Sequence, residues 1–488
     1  MTSTYNPTTL EQLALDALLR NDAIDFSDLE NLPPMLFPLL FIEAFKRRRT
    51  KILKATVAAW PFFYLPVGPL LKTGDVEMMQ VVLDGIDILM NQNVCPRRKL
   101  QVLDLRDVHQ DFWNAWAGRE DGVCSPDILT KKQGSESLPT HALTQGLQVV
   151  TNLFLFCSLE EDQKFLLQWA QKSSDSLQLV CLKMKIFCLP LEIVKEVLNV
   201  FQPIYIEELE IYTPEVLSFI GFFSPSLGQM RNIIKFNLHQ IHFQYNTLEY
   251  RVTNVKKCSA KFFSQFSKLK HLQSLYLNGA HFSYDNMKIL FGCLKTPLES
   301  LSMSFCQLSK SDLKRMTKCQ SLYQLKELHF NTVVFSESCF KSLRFLIKSV
   351  SETLQSLQFE HCRMKSQLKV LLPALSQCSQ LNSINFYNNN FSSAVLKDLL
   401  QCTANLSNLI VEVYPAPKEC YDPLGNVVMN SFSQLCPELV QTLIAKRQPT
   451  KIMFATTICP RCCLCCIYVM EDMVLNTIPC LCWELIAI

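Results

Sequence analysis

Leu325-Lys326-Glu327-Leu328-His329-Phe330-Asn331 sets apolar residues at its first, fourth and sixth positions. The same Leu-x-x-Leu-x-Leu frame, with other aliphatic or aromatic residues admitted mostly at the third place, recurs five more times. It returns at Leu272/Leu275/Leu277, Leu298/Leu301/Met303, Leu354/Leu357/Phe359, Leu381/Ile384/Phe386 and Leu406/Leu409/Val411. The first residues of the six frames are spaced by 26, 27, 29, 27 and 25 positions. Alternation of apolar and polar side chains inside each frame is the pattern of a strand with one buried face. The intervening stretches carry helical spacing instead: Phe340, Leu343 and Leu346 in residues 336–350, and Val395, Leu396, Leu399 and Leu400 in residues 392–401.

A strand–helix unit repeated at this interval predicts a leucine-rich repeat. One unit cannot bury its own apolar face, so neighbours stack and join their faces into a continuous core. The expected fold class is α/β: a leucine-rich-repeat solenoid, or horseshoe, with parallel strands on the concave face, helices outside and an N-terminal helical cap. The frame persists upstream in weaker form at Ile233/Phe236/Leu238, Ile206/Leu209/Ile211, Leu179/Leu182/Met184 and Leu100/Leu103/Leu105. The wider gap between Ile233 and Leu272 predicts an insertion around residues 246–261. After each third frame residue the chain should turn inward at Ala280, Cys306, Val333, Cys362 and Asn389, where a small residue or an Asn packs or bonds to neighbouring backbone. The expected organisation is a helical cap over residues 1–95, the solenoid over 96–412, weak and irregular before 265, and a C-terminal cap with a Cys-rich tail over 413–488. Residues 108–136 read as an irregular connection anchored by Phe112, Trp113 and Trp116.

Composition narrows the function classes. Of 488 residues, 49% are hydrophobic and 19% charged, enough for a large core. Lys and Arg number 47 against 44 Asp and Glu, a balance that gives no electrostatic case for nucleic acid or an acidic membrane. The N-terminus lacks a basic region followed by an apolar run, so it is not read as a signal peptide. The most apolar long stretch, residues 52–71, is broken by Lys54, Pro61, Pro66 and Pro69 and reads as a buried helix and a turn rather than a membrane span. Spread along such a chain, 22 cysteines are expected as reduced, core-filling thiols, in a cytoplasmic setting that extends to the nucleus if the basic cluster Lys46-Arg47-Arg48-Arg49-Thr50-Lys51 is a localisation signal. The same cluster also suits the solvated C-terminal end of a helix.

Chemistry-bearing motifs are missing. The sequence holds no Gly-rich phosphate loop, no H-E-x-x-H and no G-x-S-x-G, so no enzyme and no cofactor are expected. His239 and His242 form the only close histidine pair, with no carboxylate at ligand spacing. The tail pairs Cys459/Cys462 and Cys463/Cys466 follow one another without a loop, an awkward arrangement for zinc, and Cys480/Cys482 would add only a C-x-C; plain or redox-sensitive thiols are the simpler reading. What remains is the strand face between framework residues: Ser274, Tyr276, Asn278; Ser300, Ser302, Ser304; Glu327, His329, Asn331; Ser356, Gln358, Glu360; Ser383, Asn385, Tyr387. This face is neutral and hydrogen-bonding, with two carboxylates and no cation to meet phosphates. It is expected to bind protein, through polar contacts and a few tyrosine anchors.

Outside the repeats, Thr8 or Thr9 can cap a helix that has Glu11 and Gln12 in its first turn and carries Leu10, Leu13, Ala14 and Leu18 on roughly one face. That helix either covers the open end of the solenoid or docks into a partner's groove.

Several local stretches then identify a family. Leu29-Glu30-Asn31-Leu32-Pro33 leading to Leu36-Phe37-Pro38, Glu43-Ala44-Phe45 with Arg47–Arg49, Ala59-Trp60-Pro61-Phe62, and Lys99-Leu100-Gln101-Val102-Leu103-Asp104-Leu105-Arg106 together resemble the PRAME (preferentially expressed antigen in melanoma) family, rodent PRAME-like members in particular. The resemblance runs over nearly the whole length. It implies a non-enzymatic leucine-rich-repeat protein, and a substrate-recognition subunit of a cullin-2 RING ubiquitin ligase bound through elongins B and C. The family's elongin-binding box would fall on Thr9, Leu10, Ala14 and Leu18, with Ala14 departing from the usual Cys; its cullin-selecting box would fall on Leu32, Pro33 and Leu36. The family is also linked to transcriptional repression and to regulation of proliferation, differentiation and cell death, and a corepressor without ligase recruitment is the alternative the resemblance leaves.

Overall fold

The computed structural model describes residues 9–20, 26–29, 31–71, 74–91, 99–108, 111–113, 146–173, 177–241, 252–279, 286–456, 467–471 and 474–478. Outside them lie the cysteines of the tail, His242, Ala280, Trp116 and nearly all of the connection that begins at 108. The chain divides into two compact units, residues 1–206 and 207–488. Among the described residues no helix is long and apolar enough to cross a membrane.

The first unit begins with helices. Thr9 caps Leu10–Arg20 with a reciprocal capping box: the Gln12 amide donates to Thr9 Oγ1 at 3.2 Å, and the Thr9 amide to Gln12 Oε1 at 3.0 Å. Helices Phe37–Lys46, Thr50–Ala58 and Val76–Asn91 follow. Four strands, β1 (Tyr64–Pro66), β2 (Val102–Asp104), β3 (Leu147–Phe156) and β4 (Leu177–Phe187), pair in parallel in that order. The frames at Leu100 and Leu179 fall on β2 and β4. β1 and β3 have no match to the frame, because β1 is only three residues long and β3 buries nearly every side chain of its first half, which erases the alternation.

The second unit is the repeat proper. Strands β5 (Glu208–Thr213), β6 (Lys235–Gln240), β7 (Ser274–Asn278), β8 (Ser300–Ser304), β10 (Glu327–Asn331), β12 (Ser356–Glu360), β13 (Ser383–Asn385), β14 (Val411–Pro415) and β15 (Lys451–Ala455) form one parallel sheet, and a hairpin, β16 (Ile467–Glu471) and β17 (Val474–Ile478), adds antiparallel strands at its end. Two-residue strands β9 (Gln307–Leu308) and β11 (Val334–Phe335) make a second small ladder. Register follows the frame: Leu275, Leu301, Leu328, Leu357 and Ile384 are successive partners, and all are buried. At the third frame position Phe330, Phe359 and Phe386 stack from repeat to repeat, with ring centroids 5.5 and 6.0 Å apart.

The turn out of each strand is also repeated. Phe305, Thr332, His361 and Asn388 all adopt left-handed backbone (φ 52–55°) although none is glycine. Each precedes an inward residue: Cys306, Val333, Cys362 or Asn389, all buried as expected. The Cys362 thiol donates to the Phe330 carbonyl of the preceding repeat, Cys306 does the same to Gly279, and the Asn389 amide donates to the Phe359 carbonyl. Cysteine here is a small donor that stitches neighbouring repeats. Burial pushes the Cys306 and Cys362 thiols up to about 12, so they stay protonated.

One frame was misplaced by the sequence pattern. Ile384 pairs with Glu412, not Leu409, so the sixth frame is Leu409/Glu412/Tyr414 rather than Leu406/Leu409/Val411. The physical reason is that Leu406 and Leu409 are both buried ahead of the strand and imitate the pattern three residues early. A fully buried glutamate therefore fills a framework leucine's place. It is compensated by Arg447 at 2.7 Å and by the Tyr414 hydroxyl, which donates at 2.7 Å. The predicted insertion is partly helical, since Val252–Ser264 forms a helix.

Candidate functional site

On strands β5 to β13 the residues between framework positions face away from the core and are half-buried or exposed, Ser304 excepted. Their side chains are short or planar, and they bond to one another across strands. Ser300 donates to Glu327 at 2.8 Å, the Tyr276 hydroxyl to Ser304 at 3.2 Å, and His329 Nε2 meets Ser356 Oγ at 3.0 Å. Glu360 takes an amide from each side, Asn331 on Oε2 and Asn385 on Oε1. Asn385 in turn accepts the Tyr387 backbone N–H at 2.9 Å, and Asn278 donates to the Tyr276 hydroxyl.

A depression of about 500 Å³ opens on this face. Ser274, Tyr276, Ser302, Glu327, His329, Asn331, Gln358 and Glu360 line it, and with Ser300 and Ser304 ten of the fifteen sequence-predicted face residues come together. Asn278, Asn385 and Tyr387 lie on the same face outside the depression. Lys235 and Asn237, two strands before Ser302, line it too; the face read from the sequence begins at Ser274 and leaves them out. The signal was available in the weaker frame at Ile233/Phe236/Leu238, whose outward positions are Lys235, Asn237 and His239. That frame and the preceding one also supply a ladder of rings: Tyr212 stacks on His239 at 4.1 Å, and His239 on Tyr276 at 4.4 Å.

Burial tunes the titrating groups of the face. It lowers the pKa of His329, against a smaller upward pull from Glu327, and lowers that of His361. It raises that of Glu360. At neutral pH the histidines are uncharged. Among the described residues no group of His, Cys, Asp and Glu has the arrangement of a metal site.

The N-terminal candidates lie in the first unit. Helix Leu10–Arg20 buries Leu15 and Leu19 and leaves Leu10 86% and Leu13 52% exposed, with Ala14 exposed and Leu18 half-buried. Asp16 ties the helix to Arg47 at 2.8 Å. Pro33 is exposed, while Leu32 and Leu36 are half-buried, just ahead of the buried start of helix Phe37–Lys46. Within the basic cluster, Arg47 pairs with Glu43 as well as Asp16, and Arg48 with Asp75 and Glu77.

Comparison with known proteins decides the family. The PRAME N-terminal domain model matches residues 7–113, and the PRAME C-terminal domain model matches residues 147–477. The chain belongs to the PRAME family. Mouse Oogenesin-3 is 39% identical over 466 residues, which cover 94% of this chain and 92% of that protein. Human PRAME family member 12 is 40% identical over 459 residues, 93% and 94% of the two chains, and human PRAME family member 8 is 40% identical over 459 residues, 93% and 96%. Among the stretches that carry the family resemblance, those around Trp60 and Asp104 lie in the core. Trp60 packs edge-on against Phe37 and Phe41, and Phe41 stacks on Trp113 at 5.2 Å. The buried Asp104 carboxylate holds Arg106 at 2.6 Å and accepts the Tyr64 hydroxyl at 2.6 Å. In this chain these residues form an aromatic cluster and a polar one, both buried.

Proposed function

We propose that this PRAME family member is a non-enzymatic protein-recognition scaffold and acts as the substrate receptor of a cullin-2 RING ubiquitin ligase. In this reading Thr9, Leu10, Ala14 and Leu18 engage elongin C in the elongin B/C pair, and Leu32, Pro33 and Leu36 select cullin-2. The polar strand face of the second unit holds the protein to be ubiquitinated. The observation that carries the reading is the division of helix Leu10–Arg20. Its own fold takes Leu15 and Leu19, while Leu10, Leu13 and Ala14 stay in solvent. A helix serving only as a cap would turn such leucines inward; one meeting a partner's groove needs them outside.

Co-purification tests it. Elongin C and cullin-2 should be captured with the full chain and lost from the double variant Leu10→Asp, Ala14→Asp. Both substitutions fall on exposed positions, so the cooperative melt should be unchanged. Undiminished capture by the double variant would refute the reading.

A further inference from the structure

We propose that the depression on the strand face is an arginine slot, which takes the guanidinium of an extended segment of the target protein between Tyr276 and His329. The proposal rests on the face being the target-binding surface and adds what it selects.

Three features of the depression converge on that side chain. The first is shape. Tyr276, Ser302 and His329 are register partners on β7, β8 and β10. The two ring-bearing strands lie two strand spacings apart, about 9.6 Å. All three outward positions of β8 are serine, so the floor between the two ring-bearing strands is low, and the interval leaves room for a planar group beside the rings even with the Tyr276 hydroxyl bonded to Ser304. The second is the free ring face. Tyr276 is stacked on His239 on one side, and the opposite side of its ring looks over β8. A ring held in a ladder of three keeps its plane fixed and offers its negative face to a cation. The third is charge. Glu327 is exposed at the rim, with Ser300 bonded to only one of its oxygens, and Glu360 lies beyond it. The one cation of the lining, Lys235, sits 3.4 Å from Glu210 and is compensated there. His329 is kept neutral by burial and does not repel a guest cation.

Arginine fits this combination better than lysine. Its guanidinium is flat, weakly hydrated, stacks on aromatic faces and presents a fork to a carboxylate. An ammonium would use only the charge.

The probes are the peptides acetyl-Ser-Arg-Ser-amide and its citrulline and lysine counterparts, titrated into the full chain and followed by ligand-observed NMR. The arginine peptide should bind at least ten times more tightly than the citrulline peptide, which keeps the shape and loses the charge. It should bind several times more tightly than the lysine peptide. Ser302→Phe, which fills the slot, should weaken arginine binding at least tenfold, and Glu327→Gln, at an exposed rim position, several-fold. Equal binding of arginine and citrulline, or of arginine and lysine, would overturn the proposal. So would unchanged binding to Glu327→Gln and Ser302→Phe. The ligase reading is judged separately, since Ser302→Phe should still capture elongin C. Arginine selectivity can therefore fail while the receptor reading stands, and the reverse.

Discussion

Replacing Glu412 by leucine would restore, on paper, the hydrophobic frame that the repeat calls for. The two possible registers of this strand give opposite outcomes. If the frame were Leu406/Leu409/Val411, residue 412 would lie among the solvent-facing positions and the change would stay within about 0.5 kcal/mol. In the observed register Glu412 is fully buried opposite Ile384, and its partner Arg447 is only 10% exposed. Glu412→Leu then leaves a guanidinium beneath the sheet with the Thr403 carbonyl as its remaining acceptor, and deprives the Tyr414 hydroxyl of its carboxylate. Breaking one side of a buried pair costs about 3–5 kcal/mol. Hydrogen exchange resolves the effect locally. Amides of β13, β14 and β15 should exchange on the order of 10²–10³ times faster, at a factor of ten per 1.4 kcal/mol. The double variant Glu412→Leu, Arg447→Met removes both charges and should recover most of the loss, because a well-packed apolar pair replaces a buried ion pair at little or no cost. Unchanged exchange in the single variant would refute the register argument, and a double variant as unstable as the single would refute the electrostatic one.

Other expectations follow from burial. Leu328→Ala, at the centre of the repeat and fully buried, should lower unfolding free energy in urea by about 2–5 kcal/mol. Alkylation at pH 7.5 followed by mass spectrometry should modify Cys157, which is exposed, while Cys306, Cys362 and Cys378, with pKa values pushed up to about 12 by burial, react only on unfolding. His329 and His361 have lowered pKa values in the folded chain, so below the ordinary histidine value of about 6.5 the unfolded chain binds protons first. Their contribution to stability is therefore complete above that value and is lost as pH falls through the folded values. Glu360, raised by burial, works in the opposite sense, losing stability as pH rises through its folded value. The midpoint of thermal unfolding should drop between pH 7.5 and 5.5, and His329→Gln should flatten that slope.

The repeat was legible in the sequence because its signal is redundant. Three framework positions per unit, an inward residue after the turn and a helical stretch all repeat, so five of six strands could be placed to the residue. Legibility failed where the physical cause does not reach the alphabet. The left-handed turn residues are Phe305, Thr332, His361 and Asn388, and only the last belongs to a type that announces such a backbone. Buried ionic groups fail in another way: Glu412, Arg447, Asp104 and Arg106 look like surface residues until their partners, 35 positions apart in one pair and two in the other, are known. The face residues were found from the alternation alone. Their association into one depression was not, since it depends on β8 carrying only serines between two ring-bearing strands.

That contrast bears on how such a chain acquires specificity. A framework position is held by contacts with the repeats on both sides, and a substitution there is felt through the core; a face position touches only its cross-strand neighbours and solvent. Here several residues of the stretches that mark the family, Trp60, Phe62, Asp104 and Arg106 among them, are buried. The features that distinguish the face are local: a ring ladder ending at Tyr276, a serine-floored interval, a neutral His329 and the carboxylates beyond it. Enlarging one serine would close the slot, and exchanging Glu327 for a lysine would invert its charge preference, with the frame untouched in either case. In the proposed reading the sheet holds a constant geometry while its choice of partner rests on a few outward side chains. Selectivity in the arginine series should respond to Ser302 and Glu327 far more than to any framework substitution that leaves the chain folded.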